Sequence, residues 1–264
     1  MTVLAAERIK LTSVCSPWWC TAIVVVLGLG FAGLVGFSAN SGLQSYNDMV
    51  ARGDQPTFEP YLPALPDTLG GVSGFGITVL MILAALAVTS EYRFGVVRTT
   101  FQAIPNRSSV LVAKAGLLGV FSAVLTIVLT FGAYAIAKAT AGADAGANLS
   151  LSTGADWRAV YGIPIYALLA VILAVGVGAL LRQTAGAIAL LLLWPLLIES
   201  LFNLFGETGR DIMPFLPFTN INNFLGAGGT VEFHWGPWGS LIYFAVFVFV
   251  VFGAALFVVD RRDA

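Results

Sequence analysis

The sequence predicts an all-α membrane protein: one transmembrane domain over residues 1–264 with six membrane-spanning helices. Three observations carry that prediction. Of 264 residues, 58% are apolar and only 10% are charged, where soluble domains carry about 25% charged residues. A core of this size cannot hide so much apolar surface, so lipid must solvate most of it. Six apolar runs each reach the ~20 residues a helix needs to cross a ~30 Å hydrocarbon layer. Lysine and arginine also fall unevenly on the connections between those runs, as they do in multi-pass proteins.

The runs cover residues 18–39, 69–89, 115–137, 161–181, 184–205 and 238–259. The first is too long for a signal peptide, and no small-x-small cleavage site follows it, so it is read as a permanent helix. Ahead of it, residues 3–14 suit an interfacial helix. Leu4, Leu11 and Val14 share a stripe there with Arg8 and Lys10 towards its sides, although Glu7 spoils the stripe. Trp18 and Trp19 mark a membrane–water boundary. Glycines inside the runs (Gly28, Gly30, Gly33, Gly36, Gly116, Gly119, Gly176, Gly178) point to close helix–helix approach. Pro164 and Pro195 are expected to kink their helices unless they sit in a first turn.

With the N-terminus in the cytoplasm, nine Lys/Arg fall on the inner side and four, Arg52, Lys138, Arg158 and Arg210, on the outer side. Six spans then return the C-terminus to the cytoplasm. The outer connection 40–68 carries Pro56, Pro60, Pro63 and Pro66 and reads as an extended loop. Connection 138–160, rich in Ala, Gly and Ser, reads as flexible. The outer segment 206–237 is too apolar for a solvated loop, so it should dip into the interface or pack on the spans; a lid at the outer mouth is one reading. The inner connection 90–113 predicts a short helix capped by Ser90, with Glu91 in its first turn, ending before Pro105.

Several chemistries are excluded. None of the three lysines, Lys10, Lys114 and Lys138, lies in a Gly-Lys-Ser/Thr context, so the chain binds no ATP through a P-loop. A single histidine, His234, rules out bis-His haem and multi-His metal sites within one chain. Cys15 and Cys20 fit neither a zinc spacing nor a disulfide framework and read as small fillers. A net charge of −1 without a basic cluster argues against nucleic acid. Glu199 is the one charge inside an apolar run, a candidate polar site unless it snorkels outward or pairs with Arg210. Gly71-Val-Ser73-Gly74 is similar to the serine motif of rhomboid intramembrane proteases, with His234 as the available base. It falls on the second span rather than the fourth, where packing of small residues explains it.

Glu91-Tyr-Arg93-Phe-Gly95 through Arg98, then Pro105-x-Arg107 and Lys114, resembles a pattern in permease subunits of type-2 ABC transporters. The start Glu7-Arg-Ile-Lys10-Leu-Thr-Ser13 with Ser16-Pro-Trp18-Trp19 is similar to actinobacterial members, as is Met213-Pro-Phe-Leu-Pro217 before the sixth span. Val96 departs from the Thr often found there. The resemblance implies a coupling helix after the second span, with Glu91, Arg93, Gly95 and Arg98 as the elements that engage the ATPase. Arg107 and Lys114 would anchor the third span. A re-entrant or gate segment before the sixth span would include Met213, Phe215, Phe218 and Phe224. It further implies a permease in a bacterial plasma membrane, exporting an apolar or amphiphilic cargo such as a drug-like compound or lipid. Partners would be cytoplasmic ABC ATPase subunits, which hold ATP and Mg, a second copy or homologous permease, and membrane lipids. The chain itself would carry no cofactor and no catalytic residue. The alternative is a non-transporting scaffold or sensor subunit, indifferent to changes at Glu91.

Overall fold

Six helices long and apolar enough to cross a membrane make up most of the structure: Ser16–Ala51, Leu65–Arg93, Arg107–Gly146, Gly154–Leu181, Thr184–Phe215 and Pro237–Arg261. The structure, a computed structural model, describes residues 3–13, 15–103, 106–229 and 231–261. All regular elements among the described residues are helical. In chain order they are α1 (Val3–Ser13), α2 (Ser16–Ala51), α3 (Leu65–Gly70), α4 (Ile77–Arg93), α5 (Val96–Ala103) and α6 (Arg107–Gly146). Then follow α7 (Gly154–Leu181), α8 (Thr184–Leu193), α9 (Glu199–Leu201), α10 (Gly206–Ile212), α11 (Pro217–Leu225) and α12 (Pro237–Arg261). Wide π turns join α3 to α4 over Gly71–Gly76 and α8 to α9 over Trp194–Ile198.

Each apolar run lies inside a longer helix. The 40 residues of α6 extend ~60 Å at 1.5 Å per residue, about twice the hydrocarbon thickness. Its ends therefore stand in the interface or in water, where hydropathy no longer marks them. This corrects the extended loop expected from residue 40. The stretch up to Ala51 contains no proline and stays helical, and the irregular backbone is confined to residues 52–64. The flexible connection expected over 138–160 contracts in the same way. α6 continues to Gly146 through a kink at Gly142 (φ +74°). Thr153 and Asp156 then close a reciprocal cap that starts α7.

α7 is the central helix, packed against α4, α6, α8, α11 and α12. Pro164 lies inside it without interrupting it. Pro195 lies at the start of the π turn in the fifth span, where its missing N–H is accommodated. α2 crosses α6 where Gly36 leaves no room for a side chain, since a Cβ would sit 2.1 Å from Thr140 Oγ1 and 2.5 Å from the Ala137 carbonyl. Gly119 and Gly178 are likewise pressed on neighbours, but Gly30 and Gly116 face open space. Both cysteines are free thiols.

The short inner helix differs in register from the sequence expectation. α4 runs past Ser90 to Arg93, so Ser90 caps nothing and Glu91 belongs to the end of the second span. The chain turns at Gly95 (φ +71°), a conformation that costs glycine nothing, and α5 begins at Val96. Asn106 caps α6, accepting from Ser109 N at 3.1 Å. Pro105 and Val14 lie outside the described residues, as do the side chains of Leu4, Leu11 and Arg98.

The α2–α6 crossing gives a paired prediction. Gly36→Ala should destabilise the fold by about 1–3 kcal/mol through overpacking. Gly30→Ala should be neutral or stabilising by up to ~1 kcal/mol. Unfolding in mild detergent separates the two, and equal effects would mean that α2 and α6 do not meet at Gly36.

Candidate functional site

Four charged side chains converge at the end of the bundle where α1, α4 and α6 meet. Lys114 Nζ lies 2.5 Å from Glu7 Oε2 and 3.1 Å from Glu91 Oε1. Lys10 Nζ lies 2.9 Å from Glu7 Oε1 and 2.9 Å from Glu91 Oε1. Each lysine thus bridges both glutamates, and the ring is neutral. Glu7 is only 2% exposed and Lys114 4%. Charges so buried survive only when opposite charges and hydrogen bonds replace water. The cluster therefore fixes α1 to the spans: Glu7, which spoils the apolar stripe of α1, is the residue that docks that helix.

The cluster also stands behind the α4–α5 turn. A cavity of about 350 Å³ beside it is lined by Glu7, Lys10, Ser90, Glu91, Val96 and Lys114. Val97 is buried and holds α5 to the bundle; it lines a second, smaller pocket with Tyr92, Arg107, Val110 and Val259. The opposite side of the turn is open. Phe94 is 73% exposed, the Arg93 guanidinium lies 5.7 Å from its ring centre, and Gly95 and Val96 are also exposed. Arg182, in the two-residue turn between α7 and α8, stacks 5.0 Å from the Tyr92 ring centre. Ser108 donates to Asp260, tying the start of α6 to the end of α12.

At the opposite end of the bundle, α11 lies between spans and is held at both termini by them. Glu199 is 5% exposed. Its Oε1 accepts from Phe218 N (2.9 Å) and Trp194 Nε1 (3.1 Å). Its Oε2 accepts from Thr219 N (2.6 Å) and Thr219 Oγ1 (2.8 Å). Glu199 thus neither snorkels nor pairs with Arg210. It caps the N-terminus of α11, where the helix dipole favours negative charge, while the local cap residue, Leu216, has no acceptor to offer. At the other terminus, Arg158 Nε of α7 donates to the Phe224 carbonyl at 2.8 Å. Between them, Asn220 bonds the Pro214 and Leu216 carbonyls and receives Trp235 Nε1 at 2.9 Å.

Among the residues expected to form an outer gate, Met213, Phe218 and Phe224 are buried and Phe215 is exposed. Phe218 packs on Phe244 and Phe224 on Trp238. A Cβ on Gly162 would lie 2.7 Å from Leu225 and 3.0 Å from Phe224, so α11 rests directly on the α7 backbone. Ser73 Oγ donates to the Leu69 carbonyl, His234 lies against Phe215 and Trp235, and no hydrogen bond joins the two among the described residues. The structure thus brings Glu91 and Lys114 together and adds Glu7 and Lys10, which sequence reasoning missed. The available signal was Glu7 three residues before Lys10, matching the Glu91 and Lys114 that flank the inner connection.

Comparison with protein families, with curated proteins and with solved structures returned no match. The chain is a membrane protein with six candidate transmembrane helices.

The cluster predicts unequal costs for its two lysines. Lys114→Met should cost about 3–5 kcal/mol by leaving the buried Glu7 and the partly buried Glu91 short of a partner. Lys10→Met should cost at most about 1 kcal/mol, because its side chain is 36% exposed. Burial alone would raise the Glu7 pKa, but the charge of Lys114 and hydrogen bonds from Lys114 and Lys10 hold it below its ordinary 4.5. Burial would lower the Lys10 pKa, but its hydrogen bonds to Glu7 and Glu91 and their charges hold it above its ordinary 10.5. The acid's contribution is complete above 4.5 and lost as pH falls through the folded pKa. The lysine's is complete below 10.5 and lost as pH rises through its folded pKa. Attachment of α1, followed by limited proteolysis, should therefore be strongest between those limits and weaken on acidification. At the other end, Glu199→Leu strands the donors of α11 and should cost at least about 3 kcal/mol, with hydrogen exchange rising first over residues 217–225.

Proposed function

We propose that the chain is the membrane-spanning permease subunit of a type-2 ABC transporter. It exports an apolar or amphiphilic molecule, a drug-like compound or a lipid. ATP and Mg bind to separate cytoplasmic ATPase subunits, and a second copy or a homologous permease completes the pathway. The observation that carries the reading is the exposed α4–α5 turn backed directly by the four-charge ring. A partner that grips Phe94 and Arg93 pushes on a turn whose root, Glu91, is bonded through Lys10 and Lys114 to α1 and α6. Force at the surface therefore moves three helices together. The resemblance of residues 91–114 to the family's coupling region supports the same role, and the excess of Lys and Arg at this end supports its placement in the cytoplasm of a bacterium.

In this reading ATP binding closes the ATPase pair and displaces the turn, which shifts the population from inward-open to outward-open spans. α11 with its flanking segment is the outer gate. Its buried Phe218 and Phe224 close the far end, and Glu199 and Arg158 hold it from two different spans, so relative motion of those spans releases it. The few charges in the spans suit an apolar cargo.

The test is ATP hydrolysis by the protein purified with a co-expressed P-loop ATPase from its own operon. Wild type should retain that ATPase. Phe94→Glu should lose it or lose coupled turnover with unchanged melting, because the Phe94 side chain is largely exposed. Glu91→Arg should lose both coupling and the attachment of α1. A wild-type protein that associates with no ATPase would overturn the permease reading in favour of a scaffold or sensor subunit.

A further inference from the structure

A groove of about 220 Å³ runs between α1–α2 and the α4–α6 pair. Its walls are Pro17 and Trp18 of α2, Leu83 of α4, and Leu117 and Phe121 of α6, and Arg8 and Thr12 of α1 also line it. Phe121 lies seven residues beyond Lys114 on α6, so the groove descends roughly 10 Å along the helix axis from the level of the charge ring. Trp18 is exposed and sits at the first turn of a span, where tryptophan prefers the headgroup region.

Arg8 is the one charged residue among those that line the groove, whose inner surface is otherwise apolar. Glu7, next to Arg8, is fully engaged by Lys10 and Lys114, and the ring of four is neutral. Arg8 is exposed and makes no ion pair with the described residues. An exposed arginine on the wall of an apolar groove matches a molecule with a phosphate at one end and a hydrocarbon chain at the other, and guanidinium binds phosphate through paired hydrogen bonds. We propose that this groove is a binding site for an anionic phospholipid, with one acyl chain between Trp18 and Phe121 and the phosphate on Arg8. The site wedges lipid against the joint between α1 and the spans. It rests on the membrane reading alone and needs no ATPase partner.

The experiment reads Trp18 fluorescence, taken as the difference between wild type and Trp18→Phe, in phosphatidylcholine vesicles. Bromine on the acyl chains of added phosphatidylglycerol or phosphatidylcholine acts as the quencher. The expected result is half-maximal quenching at a several-fold lower mole fraction of the anionic lipid. Arg8→Gln should bring the two lipids to equal mole fractions, and Leu117→Phe, which fills the slot, should reduce quenching by both. Equal quenching by the two lipids in wild type overturns the proposal, as does a headgroup preference that survives Arg8→Gln. Quenching unchanged by Leu117→Phe overturns the acyl seat.

Discussion

Withdrawing a single charge from water costs several kcal/mol unless opposite charges surround it, and this chain withdraws Glu7 and Lys114 almost completely. Their burial depends first on each other and on Glu91, with the half-exposed Lys10 adding less, so the positions of α1, α4 and α6 are set jointly. The closeness of helix backbones elsewhere follows a different rule. Lipid is as apolar as leucine, so van der Waals contact at small residues such as Gly36 and Gly119 must hold the spans together. That packing sets distance but tolerates sliding. The charge ring fixes the axial position of α1 against two spans, which small-residue contacts alone would leave loose.

The other end of the bundle uses charge differently. There Glu199 and Arg158 meet a helix's own ends, the acid at the N-terminus of α11 and the base at its C-terminus. α11 has only 9 residues and would be marginal alone in water. It holds its shape because two spans complete its hydrogen bonds and Gly162 lets it rest on the α7 backbone. Its order thus depends on where α7 and the fifth span stand, a property suited to a part that responds to motion of the spans.

The six spans were legible because twenty apolar residues in a row have few other solutions. Their ends were not: α2 and α6 outrun the hydrocarbon layer, and beyond it the sequence of residues 40–51 or 138–146 looks like any polar segment. The apolar segment 212–225 was legible as something that packs, but not its attachment, since Glu199 meets backbone N–H groups 19 and 20 residues away and backbone donors leave no mark in a sequence. Glu91 and Lys114 were read from a resemblance, whereas Glu7 looked like a flaw in an amphipathic stripe. A carboxylate on the wrong face of an interfacial helix has a physical reading of its own: it faces a cation that the spans supply.

A double-mutant cycle between Glu7 and Lys114 tests the joint nature of the ring most directly. Unfolding would be followed for Glu7→Gln, Lys114→Met and the pair, in the same detergent at neutral pH. Residues that share a buried ion pair couple strongly, so the double variant should cost less than the sum of the singles by at least about 1.5 kcal/mol. Additivity within about 0.5 kcal/mol would contradict it, and would mean that α1 is held to the spans by something other than its charges.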